Sequence, residues 1–426
     1  MKTLLGGLLV MAVLTGAAAA EPPAKADRVP FTDAPELFPI LPWDVLHVSN
    51  RPGSGKNGLE SIAECGFTVG GFVEEADLPL CEKLGLAAIV ASNRDWTKVR
   101  DEDVDALVKR TVEPTAGNRT VLGYFITDEP GVTSFATLRK VVAAVRKYAP
   151  GKLAYINLFP SYATTGAPGQ SQLGTTTYTE YLERYVDEVK PQFISYDDYM
   201  VQYSNDMKEA GQAAIYYADL LEVRRVSQKY RLPFWNIVGC ARIQPQASVP
   251  APANLAFQAF TTLAAGGRGV TWYKYYADGY TYAPIDSTGA KTRTWGCLQA
   301  VNRQVKVLGP IANRLRSTGV FFTSPPPVKW LPLLPGRIVK TVKSKASGAA
   351  KAEPPLMVGE FVDDKGVDYV MVVNLSLEQP TTFKLGTATP YKARQVFSSE
   401  DGRLSPLDEH NGRDLPAGQG VLIKLD

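Results

Sequence analysis

The stretch VLGYFITDEPG, residues 121–131, carries the clearest structural signal in this sequence. Its first six residues form an apolar run of the length of a buried strand, and Pro130 and Gly131 end that run in a turn. Apolar residues at helical spacing follow at 138–145, and the Pro-Gly pair at 150–151 stops the pattern. A buried strand followed by an amphipathic helix is the repeating unit of a parallel sheet with crossover helices.

The same unit recurs along most of the chain. Strand-like runs occur at 38–43, 66–73, 85–92, 121–127, 152–159, 192–196, 233–239 and 269–275. The segments between them have helical spacing, most clearly at 181–189, 220–230 and 255–265. Eight strands alternating with helices over about 280 residues favour a closed (β/α)8 TIM barrel over an open doubly wound sheet.

The pattern changes near residue 318. Prolines 325–327 interrupt the chain, and residues 357–362 and 368–374 then alternate as a hairpin around the turn at 364–366. Short strand-like runs continue at 381–385, 393–397 and 421–425. We therefore predict a barrel at 36–316, followed by a small C-terminal all-β sandwich domain at 317–426.

The amino terminus has the features of a cleavable export signal. A positive Met1-Lys2 start, an uncharged apolar run at 4–19 and small residues at 18–20 predict a signal peptide over residues 1–20. The polar, Pro-rich residues 21–35 are predicted to be a disordered leader. No second long apolar run follows, so we predict no transmembrane segment and expect a secreted or periplasmic protein.

Composition excludes several kinds of chemistry. The formal net charge is +3 and no cluster of Lys or Arg stands out, so we expect no nucleic-acid partner. Histidine occurs only at positions 47 and 410, which argues against a His-based triad or a His-rich metal centre. We therefore expect no metal and no organic cofactor, and acid–base chemistry from carboxylates, Tyr or Lys. The sequence does not predict an oligomeric state.

The four cysteines allow two interpretations. Cys65, Cys81, Cys240 and Cys297 could form disulfides in an oxidising compartment, for which three pairings exist, or could remain as buried thiols. Their spacing does not match a metal site.

Asp128 and Glu129 are the leading candidates for chemistry. Side chains at the C-terminal ends of barrel strands converge on one pocket, and this pair ends the fourth strand. One interpretation is structural, with Asp128 capping the next helix and Glu129 solvated. The other is a proton donor whose pKa is raised by a neighbouring carboxylate and by partial burial, and we favour it.

The strand that ends in Asp128-Glu129-Pro130 resembles the fourth strand of clan-A barrel glycoside hydrolases. The resemblance implies that Glu129 is the general acid/base. Asn-Glu is the usual pair in that clan, whereas an Asp-Glu-Pro motif is similar to that of family 123-type or family 42-like enzymes. In family 123 hexosaminidases the Asp supports attack by the acetamido group of the substrate, which implies that role for Asp128.

The sequence departs from the clan-A pattern at the seventh strand. Retaining members of the clan carry a nucleophilic Glu there, but residues 234–242 contain no carboxylate. The second carboxylate is therefore Asp128, in a substrate-assisted route, or Asp197, which follows the sixth strand. Asp197 could instead bind a sugar hydroxyl or fold its loop.

Further residues at strand ends are candidates for binding a sugar. Aromatic rings at the end of the eighth strand could stack on sugar faces, although alternate members should pack inside. The substrate-binding candidates are Trp43, Asp44, Asn157, Tyr196, Asp198, Asn236, Trp272, Tyr273, Lys274 and Tyr275.

The sequence thus predicts an exported hydrolase that cleaves O-glycosidic bonds of a poly- or oligosaccharide. The alternative from a different class is a non-catalytic carbohydrate-binding barrel or envelope protein, favoured by the missing seventh-strand carboxylate. A third is a hydrolase or lyase acting on another polysaccharide linkage. Neither the sugar, the linkage nor the stereochemical outcome follows from the sequence.

Overall fold

The computed structural model describes residues 36–43, 58–92, 94–346, 353–408 and 410–426. The predicted signal peptide and leader lie outside the described residues, as does Asp44. In the part of the chain that is described, no helix has the length and apolar character that crossing a bilayer requires.

Eight strands form the first sheet. They are β1 (Ile40–Pro42), β2 (Val69–Val73), β3 (Ala87–Val90), β4 (Val121–Asp128), β5 (Leu153–Leu158), β6 (Ile194–Asp197), β7 (Phe234–Gly239) and β8 (Val270–Tyr273). All paired neighbours are parallel, and the order is β1-β8-β7-β6-β5-β4-β3-β2. Thr68, just before β2, links the two ends of this sheet: its Oγ1 accepts from Ile40 N at 2.8 Å and donates to Phe38 O at 2.7 Å. The predicted (β/α)8 barrel is confirmed.

An α-helix follows each strand. The helices are α1 (Gly58–Glu64), α2 (Leu78–Leu84), α3 (Val104–Val112), α4 (Phe135–Tyr148), α5 (Tyr178–Arg184), α6 (Gln212–Tyr230), α7 (Pro252–Ala264) and α8 (Arg293–Asn313). Most bury one stripe on the barrel, as α3 does with Val104, Val108 and Val112. In contrast, α7 is buried on every side from Asn254 to Ala264.

The C-terminal region supplies the second cover of α7. Its strands are β9 (Arg316–Phe322), β10 (Val339–Ala346), β11 (Leu356–Val362), β12 (Asp368–Asn374), β13 (Thr381–Thr387), β14 (Arg394–Phe397), β15 (Leu404–Pro406), β16 (Arg413–Leu415) and β17 (Gly420–Leu425). They form a six-stranded sheet, β15-β14-β17-β12-β11-β9, and a three-stranded sheet, β10-β13-β16. An apolar core that includes Val358, Val370 and Phe383 lies between the two sheets.

The six-stranded sheet packs closely on α7. Gly418 has φ +69°, and a Cβ there would lie 2.0 Å from the carbonyl oxygen of Ala253. Only glycine allows this approach, since any larger residue would push the sheet away from the helix. The two regions therefore share one continuous apolar core.

Aromatic side chains fill the barrel interior. The rings of Phe72 and Phe125 are 4.5 Å apart, and those of Tyr155 and Phe193 stack at 5.2 Å. Trp235 packs against both Tyr155 and Phe193. A barrel filled in this way is a packed core and not a pore, so a ligand cannot enter its interior.

All four cysteines are free thiols, three of them buried. The sequence allowed either disulfides or buried thiols, and the structure contains unpaired thiols. Burial raises the pKa of Cys81 to about 12, so this thiol stays protonated and unreactive.

Candidate functional site at the C-terminal mouth of the barrel

An irregularity in β4 turns Asp128 into the barrel. Phe125 pairs with Tyr155 and Asp128 pairs with Asn157, with a register shift between Phe125 and Thr127. Phe125 packs in the interior, so strict alternation would place Asp128 among the helices. The extra residue in β4 reverses the alternation, as bulges next to active sites commonly do.

Glu129 is held just beyond the strand in an uncommon conformation. Its φ is +47°, in the left-handed region that non-glycine residues seldom occupy. Its amide donates to Asn157 O at 2.9 Å, and Tyr181 Oη donates to the carbonyl of the next residue, Pro130, at 2.8 Å. Contacts on both sides of Glu129 therefore maintain the turn and set the direction of its side chain.

Asn157 connects two carboxylates. Its Nδ2 donates to Asp128 Oδ1 and to Asp197 Oδ1, both at 2.9 Å. Its Oδ1 accepts from Ser195 Oγ at 3.1 Å, and that hydroxyl lies 3.2 Å from Tyr155 Oη. Both hydrogens of the Asn157 amide are thus used, and the hydrogen bond from Ser195 fixes the orientation of the amide. We call Asp128, Glu129 and Asp197 the carboxyl cluster.

The carboxyl cluster holds protons more tightly than isolated carboxylates do. Burial and then the charge of Asp128 raise the pKa of Glu129 to about 7, although a hydrogen bond with Asp197 opposes the rise. Burial, with the charges of Glu129 and Asp128, raises the pKa of Asp197 far above its usual range. Burial also raises the pKa of Asp128, which solvent still reaches from the mouth. The cluster therefore retains a proton near neutral pH, as a general acid requires.

The end of β7 carries no carboxylate. The strand ends at Gly239, and a Cβ there would lie 1.8 Å from Nε2 of Gln202. Gln202, only 1% exposed, comes from the loop after β6 and fills the space that a side chain on β7 would need. The missing carboxylate is thus replaced by a buried amide.

Tyrosines line the rim beside the carboxyl cluster. The ring of Tyr273, at the end of β8, lies 5.0 Å from that of Tyr199, and its hydroxyl is 2.8 Å from Tyr280 Oη. An adjacent cavity of about 420 Å³ is lined by Tyr162, Tyr199, Met200, Tyr203, Gln212, Ile243 and Gln244. Of the rim and cavity residues, the sequence predicted only Tyr273. The position of Tyr199, two residues after β6, was the one sequence feature that pointed to the rim.

Two other predicted residues lie near this rim. Trp43 packs edge-on against Phe72 at 4.7 Å and against Tyr155 at 5.7 Å, so it forms part of the floor below the mouth. Lys274 pairs with Asp278 at 2.7 Å and lies 6.0 Å from the ring centre of Tyr280. The structure thus brings Trp43, Asn157, Tyr273 and Lys274 to the mouth, together with the carboxyl cluster.

Three further residues predicted for the pocket face the helices, and the structure does not bring them to the carboxyl cluster. Asn236 donates to Thr262 Oγ1 of α7 at 3.0 Å. Trp272 Nε1 donates to Asn302 Oδ1 of α8 at 2.8 Å, and Tyr275 Oη accepts from Trp295 Nε1 at 2.9 Å. Along β7 and β8 the odd-numbered Trp235, Ile237 and Tyr273 face inward, so Asn236 and Trp272 face outward. Tyr275 lies beyond the end of β8, where this alternation no longer applies.

Tyr196 and Asp198 also lie outside the pocket. Tyr196 is fully buried on the outer face of β6, because its neighbours Ser195 and Asp197 face inward. Asp198, 0% exposed, accepts a hydrogen bond from Met200 N at 2.7 Å, so it folds the loop after β6. The structure therefore does not bring these two residues, predicted to bind substrate, to the pocket.

Asp198 instead pairs with Asp219 of α6. Burial raises the pKa of Asp219 to about 6, and burial with the charge of Asp219 raises that of Asp198 far above its usual range, so the two carboxyls hold one proton between them near neutral pH. The folded protein then binds protons more tightly than the unfolded chain, so stability falls as the pH rises from about 4 through about 6.

Asp198→Asn is expected to stabilise the protein at neutral pH. The new amide keeps the Oδ1 acceptor for Met200 N and gives Asp219 a permanent donor in place of the shared proton. The free energy of unfolding should rise by about 1–3 kcal/mol near pH 7, with little change near pH 4. Urea unfolding at both pH values measures this. Asp187→Asn, on the surface of the same layer, is the control, and an unaltered pH dependence in Asp198→Asn would contradict the shared proton.

Comparison with known proteins defines the fold. No family model and no curated protein matches the sequence. A glycoside hydrolase family 5 protein from Bacteroides vulgatus is 12% identical, with a TM-score of 0.55 over 91% of this chain and 89% of that one. A family 42 β-galactosidase from G. stearothermophilus is 9% identical, with a TM-score of 0.56 over 92% and 98%. The chain shares its barrel fold with clan-A glycoside hydrolases.

Proposed function

We propose that this protein hydrolyses O-glycosidic bonds at the mouth of the barrel, with Glu129 as the general acid/base. The observation that carries the proposal is the carboxyl cluster, in which Glu129 has a pKa raised to about 7 beside the solvent-reached Asp128. A group with that pKa can give a proton to a leaving oxygen and take one from water at neutral pH. The fold shared with glycoside hydrolases supports this reaction class.

The geometry favours Asp128 over Asp197 as the second functional carboxylate. Direct displacement needs carboxyls about 5 Å apart with retention, or about 6.5–9.5 Å apart with inversion. Asp197 is hydrogen-bonded to Glu129 and only 3% exposed, so it is too close to Glu129 and too enclosed for either role. We therefore assign Asp197 to orienting Glu129.

Asp128 suits a substrate-assisted mechanism. The substrate would carry a 2-acetamido group, whose carbonyl oxygen attacks C1 while Glu129 protonates the departing glycosidic oxygen. Asp128 would accept a hydrogen bond from the acetamido N–H and stabilise the positive charge of the oxazolinium ring that the attack forms. Glu129 then takes a proton from water, which attacks C1, breaks the bond between C1 and the acetamido oxygen and regenerates the acetamido group with overall retention. No carboxylate on β7 is needed, in keeping with Gly239 at that position.

The rim provides a surface for the sugar itself. The rings of Tyr199 and Tyr273 stand beside the carboxyl cluster, and burial with the nearby charge of Asp197 raises the pKa of Tyr199. An aromatic face of this kind can pack against the C–H groups of a pyranose ring. Because the substrate-assisted route requires a 2-acetamido group, we propose a 2-acetamido-2-deoxy sugar as the substrate class.

A panel of aryl glycosides tests the proposal. Each sugar is supplied with a 2-acetamido group and with a 2-hydroxyl, and NMR identifies the first anomer released. We expect turnover only of the acetamido compounds, with retention. Turnover of the hydroxyl compounds would remove the substrate-assisted step, and binding without turnover across the panel would favour a carbohydrate-binding barrel.

A further inference from the structure

A second cavity lies at the opposite end of the barrel. It has a volume of about 710 Å³ and is bounded by the end of α6, the starts of β7 and β9, and the loop before β8. Its volume falls within the range of small-molecule binding sites, about 300–1,000 Å³. This end of a barrel usually serves stability, so a ligand-sized cavity here is unexpected.

Four arginines from three segments of the chain line this cavity, which we call the arginine pocket: Arg224, Arg231, Arg268 and Arg316. Among the described residues, no Asp or Glu lines it. Nor does any described carboxylate form an ion pair with Arg224, Arg268 or Arg316. Arg224 instead donates to Ser317 Oγ at 3.0 Å. Arg268 donates to the carbonyls of Ala312 and Leu315. The pocket therefore concentrates positive charge without a balancing anion from its own lining.

Arg224 has unused hydrogen-bonding capacity. Its Nε is buried and has no hydrogen-bond partner. Burial lowers the pKa of both Arg224 and Arg268 to about 10, which shows that their charges lie in a poorly solvated place. Leaving a buried donor unsatisfied is costly, and an oxyanion would relieve that cost.

We propose that the arginine pocket binds a small ligand that carries a phosphate group. A phosphomonoester brings a charge near −2 and three acceptor oxygens, and guanidinium groups bind it in bidentate fashion. Leu232, Pro233 and Phe234 form an apolar wall beside the arginines, which leaves room for an organic body such as a sugar. The site is separate from the carboxyl cluster, so the inference does not depend on the proposed hydrolase activity.

Calorimetric titration of the full chain tests the site, with glucose 6-phosphate, inorganic phosphate and glucose as probes. We expect glucose 6-phosphate to bind with a clearly higher affinity than glucose, and we expect added salt to lower that affinity. Equal affinity for inorganic phosphate would still support the oxyanion site and identify free phosphate as its ligand. No binding of either phosphate at millimolar concentration, or equal binding of glucose, would overturn the proposal.

Arg316→Ala is the informative variant, because Arg316 is exposed at the start of β9 and its removal leaves the core intact. The affinity for glucose 6-phosphate should fall by about tenfold or more. Arg314→Ala is the matched control, since Arg314 is also exposed but pairs with Glu36 at 3.1 Å instead of lining the pocket. Equal affinity in both variants would contradict the assignment. Turnover of an aryl glycoside should stay unchanged in both.

Discussion

Replacing Glu129 by glutamine is expected to lower kcat by about 10²–10⁴-fold on a substrate with a sugar leaving group. Glutamine matches the shape of glutamate but cannot transfer a proton, so protonation of the departing oxygen is lost. The backbone bond from position 129 to Asn157 O does not involve the side chain, so the turn should be kept. Stopped assays on a disaccharide and on a 2,4-dinitrophenyl glycoside measure the effect. The rate of the first step should fall much less for the dinitrophenyl glycoside, because its dinitrophenolate group leaves without a proton.

The pH profile of the unaltered protein belongs to the same prediction. The pKa of Glu129 is raised to about 7 and the acid must be protonated to act, so kcat/KM should fall as the pH rises through about 7. That limb should disappear in Glu129→Gln. Glu75→Gln, an exposed glutamate two residues after β2, is the control and should retain full activity. A loss in Glu129→Gln that is the same for every leaving group would show that Glu129 is not the acid.

Replacing Asp128 by asparagine is expected to lower kcat by about 10²-fold on acetamido substrates, because the charge that stabilises the developing positive ring is removed. An asparagine Oδ1 can still accept from Asn157, so the packing should persist. The charge of Asp128 also raises the pKa of Glu129, so the alkaline limb of kcat/KM should move to lower pH. A pH series of kcat/KM for this variant measures both effects.

Asp197 provides the comparison that separates the two mechanisms. If Asp197 only orients Glu129, Asp197→Asn should lose less turnover than Asp128→Asn, since an amide can still donate to Glu129. If Asp197 were the nucleophile, Asp197→Ala would be inactive and sodium azide would restore turnover, with a glycosyl azide of inverted anomeric configuration as product. Detection of that inverted azide would rule out the substrate-assisted route for this protein.

Several parts of this protein follow from local sequence. Each of the eight apolar runs became a barrel strand, with bounds that agree within three residues; for example, 121–127 became β4 (Val121–Asp128) and 233–239 became β7 (Phe234–Gly239). Apolar periodicity and turn residues are short-range features, so they can be read without knowing the fold. The hairpin around 364–366 was predicted for the same reason, since β11 and β12 pair directly across that turn.

Local sequence patterns specify the barrel, the sandwich and the position of Asp128-Glu129 at a strand end. The direction of each side chain depended on tertiary structure. Simple alternation places Asp128 on the outer face, and only the shifted pairing of β4 with β5 turns it inward. Likewise, Asn236 and Asp198 lie at strand ends in the sequence, but in the structure their side chains pair with residues of α7 and α6. A strand end predicts where a residue lies, whereas register and packing between distant segments decide what its side chain faces.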